Sequence, residues 1–491
     1  MSIKEELTKG VFWIALAKYS GIFISLGITA ILARHISPAA FGTMAIATVV
    51  LSFLDIFTDL GIGASIIQFK DLSTRQLYSL FTVGCILGGL LAGGLYFSSF
   101  PIAKYYTDPQ LSIVCRCLSI CLLFNAFNIV PNGLMMRNKR FKVVALRTLS
   151  FQIISGSLAV WGALNGWGIY ALIITPVITS IGVCIVNYAN YPQRLIFDID
   201  FGAVKRVWKY SSFQLLYNVV NYFSRSIDKL IIGKYFSMSD LGYYDKSYRL
   251  MQMPLQNITF VVTPVLHPIL SSLKDDQTQL AQKNIKLVTL LSQISFPLGI
   301  ILFFCAAPLI EIIFGPDWQP AIPIFKILAI SVPLQVISST CGSIFLASGK
   351  SNHMFFTGLT NTVVTISGFY LAAVLFNTIE SIAWAWDITL VLNFINTYFV
   401  MYKVTFKYEF KLYLYCFVPQ IVNSLFVAIA VWILNSHLHI QNPFLLLLTN
   451  SITVILLTAL LAYPLKQYNA IQILKELYWR IFKSRRPNKL T

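Results

Sequence analysis

The chain has 491 residues, of which 57% are hydrophobic and only 11% charged, and its mean hydropathy is +0.71. Soluble domains carry about 25% charged residues, so this composition excludes a water-soluble globule, and the net charge of +18 need not mean nucleic acid. Apolar runs of bilayer-spanning length recur throughout; residues 287–307 and 444–463 contain no charge. These features predict an all-α polytopic membrane protein.

In chain order, hydrophobic segments begin near 11, 42, 77, 111, 145, 168, 211, 241, 287, 321, 354, 380, 413 and 442. They predict about 14 transmembrane helices, or 12 if a weak pair such as the last two does not span. The first segment follows Lys4, Glu5, Glu6 and Lys9 and is too long for a signal-peptide core, so it is read as a retained helix. Alternate loops differ sharply in charge. The N-terminus, 69–76, 132–147, 189–210, 271–286, 348–354, 402–412 and the tail from 464 hold 27 Lys/Arg; the opposite set holds three, Arg34, Lys104 and Lys234. By the positive-inside rule both termini are cytoplasmic. The basic stretch 137–142 and the tail residues Lys483-Ser484-Arg485-Arg486 are expected to set that topology and to meet anionic headgroups.

Several helices carry polar residues inward. On the second, Thr48, Ser52, Asp55 and Asp59 share a face. Desolvation and a like charge one turn away both disfavour the ionised carboxylate, so Asp55 and Asp59 are ion-coupling candidates, with a helix-packing pair as the alternative. The seventh contains the stretch NYFSRSIDKLIIGKY (221–235), and Asn218, Asn221, Tyr222, Arg225, Asp228 and Lys229 recur there on one face. A charge at the bilayer centre costs about 2.5–3.5 kcal/mol on insertion scales, so this face meets protein or water. Arg225 and Asp228 can pair at i, i+3, leaving Lys229 as surplus positive charge. Either the cations hold an anionic substrate, or the pair fixes lobe packing; Asp228 is also an ion-coupling candidate. On the eighth helix Lys246, Arg249, Met253 and Gln256 form a stripe. The planar fork of Arg249 suits phosphate oxygens; snorkelling is its alternative, and Lys246 with Asp245 reads as an interfacial pair. Arg116 and Lys18 are weaker cavity candidates, Lys326 is read as snorkelling, and Asp387 is isolated with no assigned role. Pro131, Pro254, Pro264, Pro297 and Pro333 are positions where helices could bend.

Catalytic signatures are weak. Asp198-Ile199-Asp200 has the metal–nucleotide spacing of glycosyltransferases but lies in a short loop. His437-Leu438-His439 lacks a third ligand, and there is no P-loop. The eight cysteines fall in or beside apolar segments without a C-x-x-C pair, which reads as buried inert thiols and not as a disulfide or zinc framework. No catalytic residue, metal or cofactor is expected.

A repeat is visible at an offset of 200: ILARHISPAAFG (31–42) against IIGKYFSMSDLG (231–242), matching Ile31 with Ile231, Ser37 with Ser237, Gly42 with Gly242, and Arg34 with Lys234. An even number of intervening helices makes the repeats parallel, which predicts two bundles related by an axis along the membrane normal.

Leu32-Ala33-Arg34, Pro38, Phe41-Gly42, Asp59-Leu60-Gly61 and Ile67-Gln68 together resemble the start of the Wzx-type polysaccharide flippases. These belong to the multidrug/oligosaccharidyl-lipid/polysaccharide exporter superfamily. Leu241-Gly242-Tyr243-Tyr244 with Tyr248-Arg249-Leu250 and Pro254, Pro268 with Leu273-Lys274-Asp275-Asp276, and Phe314-Gly315-Pro316-Asp317-Trp318 with Ile327-Leu328 agree in order and spacing. The resemblance covers roughly residues 5–410 and looks most like the colanic-acid and exopolysaccharide branch. It implies two six-helix lobes around a central cavity, with lobes at 1–205 and 206–405, and two added helices with a basic tail over 406–491. It also implies a multi-pass bacterial inner-membrane protein, not an enzyme. Such a protein flips undecaprenyl-diphosphate-linked oligosaccharide repeat units by ion-coupled alternating access. Its partners would be the lipid-linked substrate, membrane lipids and polysaccharide polymerase or export machinery, with no nucleic acid. Arg225, Lys229, Arg249, Lys18 and Arg116 would then meet the diphosphate, with Asn218, Asn221, Tyr222 and Gln256 lining the cavity. A lipid II flippase, a drug exporter of the same superfamily and a membrane-embedded polymerase or ligase are the alternatives.

Overall fold

The computed structural model describes residues 3–271, 276–438 and 440–462. Among them all regular structure is helical. The first part comprises α1 (Ile3–Ala33), α2 (Pro38–Asp59), α3 (Ile62–Gln68), α4 (Thr74–Tyr105), α5 (Pro109–Arg137), α6 (Phe141–Leu164), α7 (Ile169–Asn190), α8 (Phe201–Tyr235) and α9 (Met238–Ser271). There follow α10 (Gln277–Phe304), α11 (Ala306–Ile313), a 3-10 turn (Pro316–Trp318), α12 (Ala321–Ile330), α13 (Val332–Ser338) and α14 (Cys341–Ala347). The chain continues through α15 (Ser351–Leu375), α16 (Ile379–Phe399), a π-helical stretch (Val400–Phe406), α17 (Phe410–Tyr415), α18 (Val418–His437) and α19 (Pro443–Ala462). Ten spans among the described residues are long and apolar enough to cross a membrane, and an eleventh if the bent pair Ala321–Ile330 and Val332–Ala347 counts as one. The helices α8, α9 and α16 lie outside that count and carry the buried Asp228, Asp245 and Asp387. Leu273, Lys274 and Asp275 of the expected motif, His439 and the basic tail lie outside the described residues.

Local chemistry explains the helix ends. Ser37 caps α2, accepting from the Ala40 amide, and Pro38 supplies a first-turn residue with no amide to satisfy. Ser73 and Gln76 form a reciprocal capping box at α4. Leu60 and Gly61 adopt left-handed φ values of 46° and 73° and break α2 from α3. A Cβ on Gly61 would come within 2.4 Å of Ser211, so α8 passes directly over the break. The Ser65 and Ser211 hydroxyls meet there at 3.2 Å. Of the expected bending points, Pro131 and Pro297 lie inside helices that continue through them. Pro333 follows a 48° bend, and the side chain of Pro264 lies outside those described.

The chain packs as two compact units. The first holds Met1–Ser247, Ile310–Ile324 and Thr365–Ala385; the second holds Tyr248–Leu309, Phe325–Val364 and Trp386–Thr491. In the first, Ile62, Ile66, Leu80, Phe81, Val130, Leu134 and Val207 form a buried core. In the second, Tyr413 stacks on Tyr398 at 4.5 Å and on Tyr402 at 4.6 Å, and Val427, Val431 and Val454 pack beside Ile300 and Phe304.

Within the first unit the two copies of the repeat touch reciprocally. A Cβ on Gly42 would lie 1.8 Å from the Met238 carbonyl oxygen, and one on Gly242 would lie 2.0 Å from the Pro38 carbonyl oxygen. Pro38 and Met238 are themselves related by the 200-residue offset. Ser237 caps its helix through the Asp240 amide at 3.1 Å, as Ser37 does through Ala40. Arg34 donates to the Ile312 carbonyl and Lys234 to the Tyr105 carbonyl, each at 2.8 Å. This is a local two-fold relation: each copy presents a backbone carbonyl to the other's glycine. Lipid tails offer little hydrophobic drive for helices to associate, so such contacts rest on close approach through small residues.

Gly42→Ala should therefore force backbone apart and cost roughly 1–3 kcal/mol, the range for overpacking. Gly93→Ala, whose added Cβ meets nothing within 4 Å, should leave stability unchanged or slightly raised. Thermal unfolding of the two variants in one detergent checks the contrast.

Candidate functional site

The motif residues assemble around this glycine contact. Trp318 is fully buried, donates its indole N–H to the Ala33 carbonyl at 2.9 Å, and meets Phe41 at 5.4 Å and Tyr243 at 5.7 Å in edge-on ring contacts. Gly315, at φ +98°, brings the chain against the Arg34 side chain. Stretches far apart in sequence, 32–42, 241–244 and 314–318, are thus one packed structure.

A buried charge cluster adjoins it. Asp245 is 1% exposed and lies 2.8 Å from the Lys229 ammonium and 3.8 Å from that of Lys246. The shorter contact is electrostatic, its angles falling outside hydrogen-bond geometry. Lys246 also sits 4.4 Å over the Phe41 ring, a cation–π contact. Asp228 is likewise buried and accepts from the Tyr244 hydroxyl at 3.1 Å and from the Lys229 amide at 2.8 Å.

This corrects two expectations. Asp228 is engaged by Tyr244 and not by Arg225, because the helix turns it toward α9 while Arg225 faces outward. Lys229 is not surplus charge; Asp245 balances it. Asp245 and Lys246 do lie together, at 3.8 Å, with the carboxylate enclosed by protein. Membrane-embedded charge costs least when paired, and here the pairing runs between helices, which sequence spacing along one helix does not reveal.

The remaining residues divide by surroundings. Asn218 and Arg225 are exposed on α8, and Asn221 is half-buried. Tyr222 donates its hydroxyl to the Val49 carbonyl, tying α8 to α2. Asp55 accepts from the Asn125 amide at 3.1 Å, and Asp59 accepts from the Gly63 amide at 3.2 Å, bracing the turn after α2. Arg116 bonds Ser99 at 3.1 Å and lies 4.1 Å over Phe100. Lys18 is half-buried on α1. In the second unit Arg249 and Gln256 are exposed on α9. Arg147, which the sequence places in the basic loop 132–147, is the buried cation that sequence reasoning misses. It is 8% exposed inside α6 and donates to the Asn132 side chain at 2.9 Å. Its position beyond Phe141, where the helix starts, was the available signal.

The DxD-like segment has a structural role. Asp198 pairs with Arg75, while Asp200 caps α8 through the Ala203 amide at 3.1 Å and accepts from Gln76 at 3.2 Å. A bidentate Arg206–Asp71 pair, at 2.7 and 3.2 Å, lies on the same side. Arg206 holds the exposed Asp71 carboxyl below its usual range, and the Ala203 amide does so for Asp200.

The fold is that of the multidrug/oligosaccharidyl-lipid/polysaccharide exporter superfamily. The lipid II flippase MurJ, in an inward closed conformation, superposes with a TM-score of 0.73 at 14% identity, covering 92% of this chain and 98% of that one. An inward-facing multidrug resistance MATE transporter gives 0.60 at 13% identity, covering 79% and 95%. Residues 31–323 match the polysaccharide biosynthesis protein family, and the chain belongs to that family. It is 26% identical over 436 residues to the teichuronic acid biosynthesis protein TuaB of Bacillus subtilis, covering 88% of this chain and 89% of that protein. It is 22% identical to the lipopolysaccharide biosynthesis protein WzxC of Escherichia coli, covering 84% of each. It is 23% identical to the succinoglycan biosynthesis transport protein ExoT of Rhizobium meliloti, covering 77% of each.

Asp245→Asn should destabilise the protein by about 3–5 kcal/mol, the cost of stranding buried charge. Adding Lys229→Met to it should recover part of the loss. Thermal unfolding of the single and double variants measures this coupling.

Proposed function

We propose that this protein is a flippase that carries diphosphate-linked oligosaccharide units, built on an undecaprenyl lipid, from the cytoplasmic to the outer leaflet for surface or exopolysaccharide synthesis. One observation carries the proposal: the family match lies in the membrane helices themselves, from the end of α1 into α12. The relatives' printed names, in lipopolysaccharide, teichuronic acid and succinoglycan pathways, place their work in polysaccharide assembly. ExoT is named as a transport protein. Transport is preferred to polymerisation or ligation because the longest described connection between helices, residues 191–200, is filled by the helix caps and ion pairs above. The charge asymmetry of the loops supports cytoplasmic termini, and the bacterial sources of the relatives fit an inner-membrane location.

A diphosphate cannot cross hydrocarbon unaided, so its carrier must offer positive charge in a wet, protein-lined path. Arg225 in the first unit is the residue we assign to it, because it is exposed on a helix whose other buried charges are paired. Arg249, exposed in the second unit with Gln256 on the same helix, is assigned independently on the bidentate chemistry of its guanidinium. Asn218 and Asn221 would serve sugar hydroxyls. Lys18, Arg116 and Lys229 are secondary candidates; Arg116 bonds Ser99 and Lys229 lies against Asp245. Cycling would be driven by an ion gradient, with Asp55, Asp59 and Asp228 as candidate coupling carboxylates.

Arg225→Ala and Arg249→Ala should each cut polymer output at least tenfold at normal membrane abundance, whereas Arg225→Lys should retain part of it. Unchanged output from both alanine variants would sink the cationic assignment. In cells depleted of the protein, complete diphosphate-linked units should accumulate on the cytoplasmic face in a sided mass-spectrometric assay. Their appearance on the outer face would instead move the protein to a polymerisation or ligation step.

A further inference from the structure

We propose that Asp387 is a proton-binding site of the second unit, placed beside the hinge of its bent span. The residue lies in α16 and is 6% exposed. Neither carboxyl oxygen has a hydrogen-bond partner among the described residues. Ser331 stands beside it, but the Ser331 hydroxyl is committed elsewhere. It donates to the Leu328 carbonyl at 2.6 Å and accepts from Gln335 at 2.7 Å. Gln252 on α9 donates to Gln335 at 3.1 Å and to the Tyr248 hydroxyl at 3.1 Å. The carboxyl therefore borders a chain of uncharged polar groups that runs from α13 to α9.

The titratable and charged groups on the neighbouring elements do not neutralise it. Tyr248 and Arg249 are on α9, Lys326 on α12, Cys341 on α14, His353 on α15 and Tyr413 on α17. Arg249 is exposed, Lys326 lies over the Phe303 ring at 5.9 Å, and His353 meets the Thr405 hydroxyl at 2.8 Å. An enclosed carboxylate without a counter-charge or donor costs several kcal/mol. The packing seen here consequently favours the neutral acid, which can donate to a neighbour where the anion cannot.

The position of the site gives that proton a consequence. Ser331 is the single residue between α12 and α13, where the span bends by 48°. Behind the bend Pro333 packs on Gly299, within 3.2 Å of where a Cβ would be. Ionising Asp387 requires water to reach it, and the bend is the adjacent element able to open. A proton that stabilises the closed packing must leave when it opens, and the linkage is reciprocal. The site is separate from the residues assigned to substrate and does not rest on that assignment.

The test is infrared spectroscopy of the purified full-length protein in lipid nanodiscs at neutral pH, in sodium-free choline buffer. Wild type minus Asp387→Asn should show a carboxylic-acid C=O stretch that sodium chloride leaves in place. No such band would overturn the proposal, and so would a band that sodium abolishes at constant pH, which would make the site a sodium site. Should the variant fail to fold, dicyclohexylcarbodiimide, which modifies protonated carboxyls in apolar surroundings, replaces it. Mass spectrometry of the treated wild type should find the adduct on Asp387, and its absence overturns the proposal. Neither readout involves transport, so its failure is separable from failure of the flippase assignment.

Discussion

Hydrocarbon cannot solvate charge, and the arrangement of this protein follows from that constraint. A charge carried into the membrane has to be balanced by protein, drawn to a wet surface, or discharged by a proton. All three solutions coexist here. Asp245 balances Lys229 and Lys246 in a buried cluster. Arg225 and Arg249 remain exposed on long helices. Asp387 has no compensating partner among the described residues and is the carboxyl for which a proton is the natural remedy.

The buried cluster belongs to the same structure as the glycine contact. Gly42 and Gly242 let two backbones meet with no side chain between them, and Phe41, one residue away, lies under the Lys246 ammonium. Tyr244, two residues beyond Gly242, holds Asp228. Close backbone approach excludes water from these neighbouring charges, which raises the value of pairing them. The charges of the 221–235 stretch consequently differ in surroundings: Asp228 and Lys229 are engaged by Tyr244 and Asp245, while Arg225 is exposed.

That division sharpens the transport proposal. A carrier for an anionic lipid-linked sugar needs few exposed cations, provided they are not spent on structure. The loop acids Asp198 and Asp200, which mimic a nucleotide-binding signature, are spent on an ion pair and a helix cap. Coupling also shifts in emphasis. Asp59 braces a turn and Asp228 is held by Tyr244, whereas Asp387 sits unbraced beside a bend.

Much of this was legible in the amino-acid order. Apolar runs of bilayer length specify helices because every backbone group must be satisfied within the segment, and each predicted segment overlaps one. The Ser37/Ser237 and Gly42/Gly242 matches marked the two stretches as a repeat, because capping and close approach demand particular residue types; that the two copies touch was not legible. Charge partners were not legible. Arg225 and Asp228 have ideal spacing along one helix, yet Asp228 turns to Tyr244 and Lys229 finds Asp245 across the turn into α9. Arg147 reads as a loop residue and Asp387 as an isolated acid without a role, and only the packing of other helices around them makes them buried. Periodicity and residue type are local properties, so the sequence by itself determined the helices, their caps and the repeat. Burial and charge pairing depend on which helices become neighbours, and the tertiary structure alone decided which charges are enclosed and paired and which are exposed.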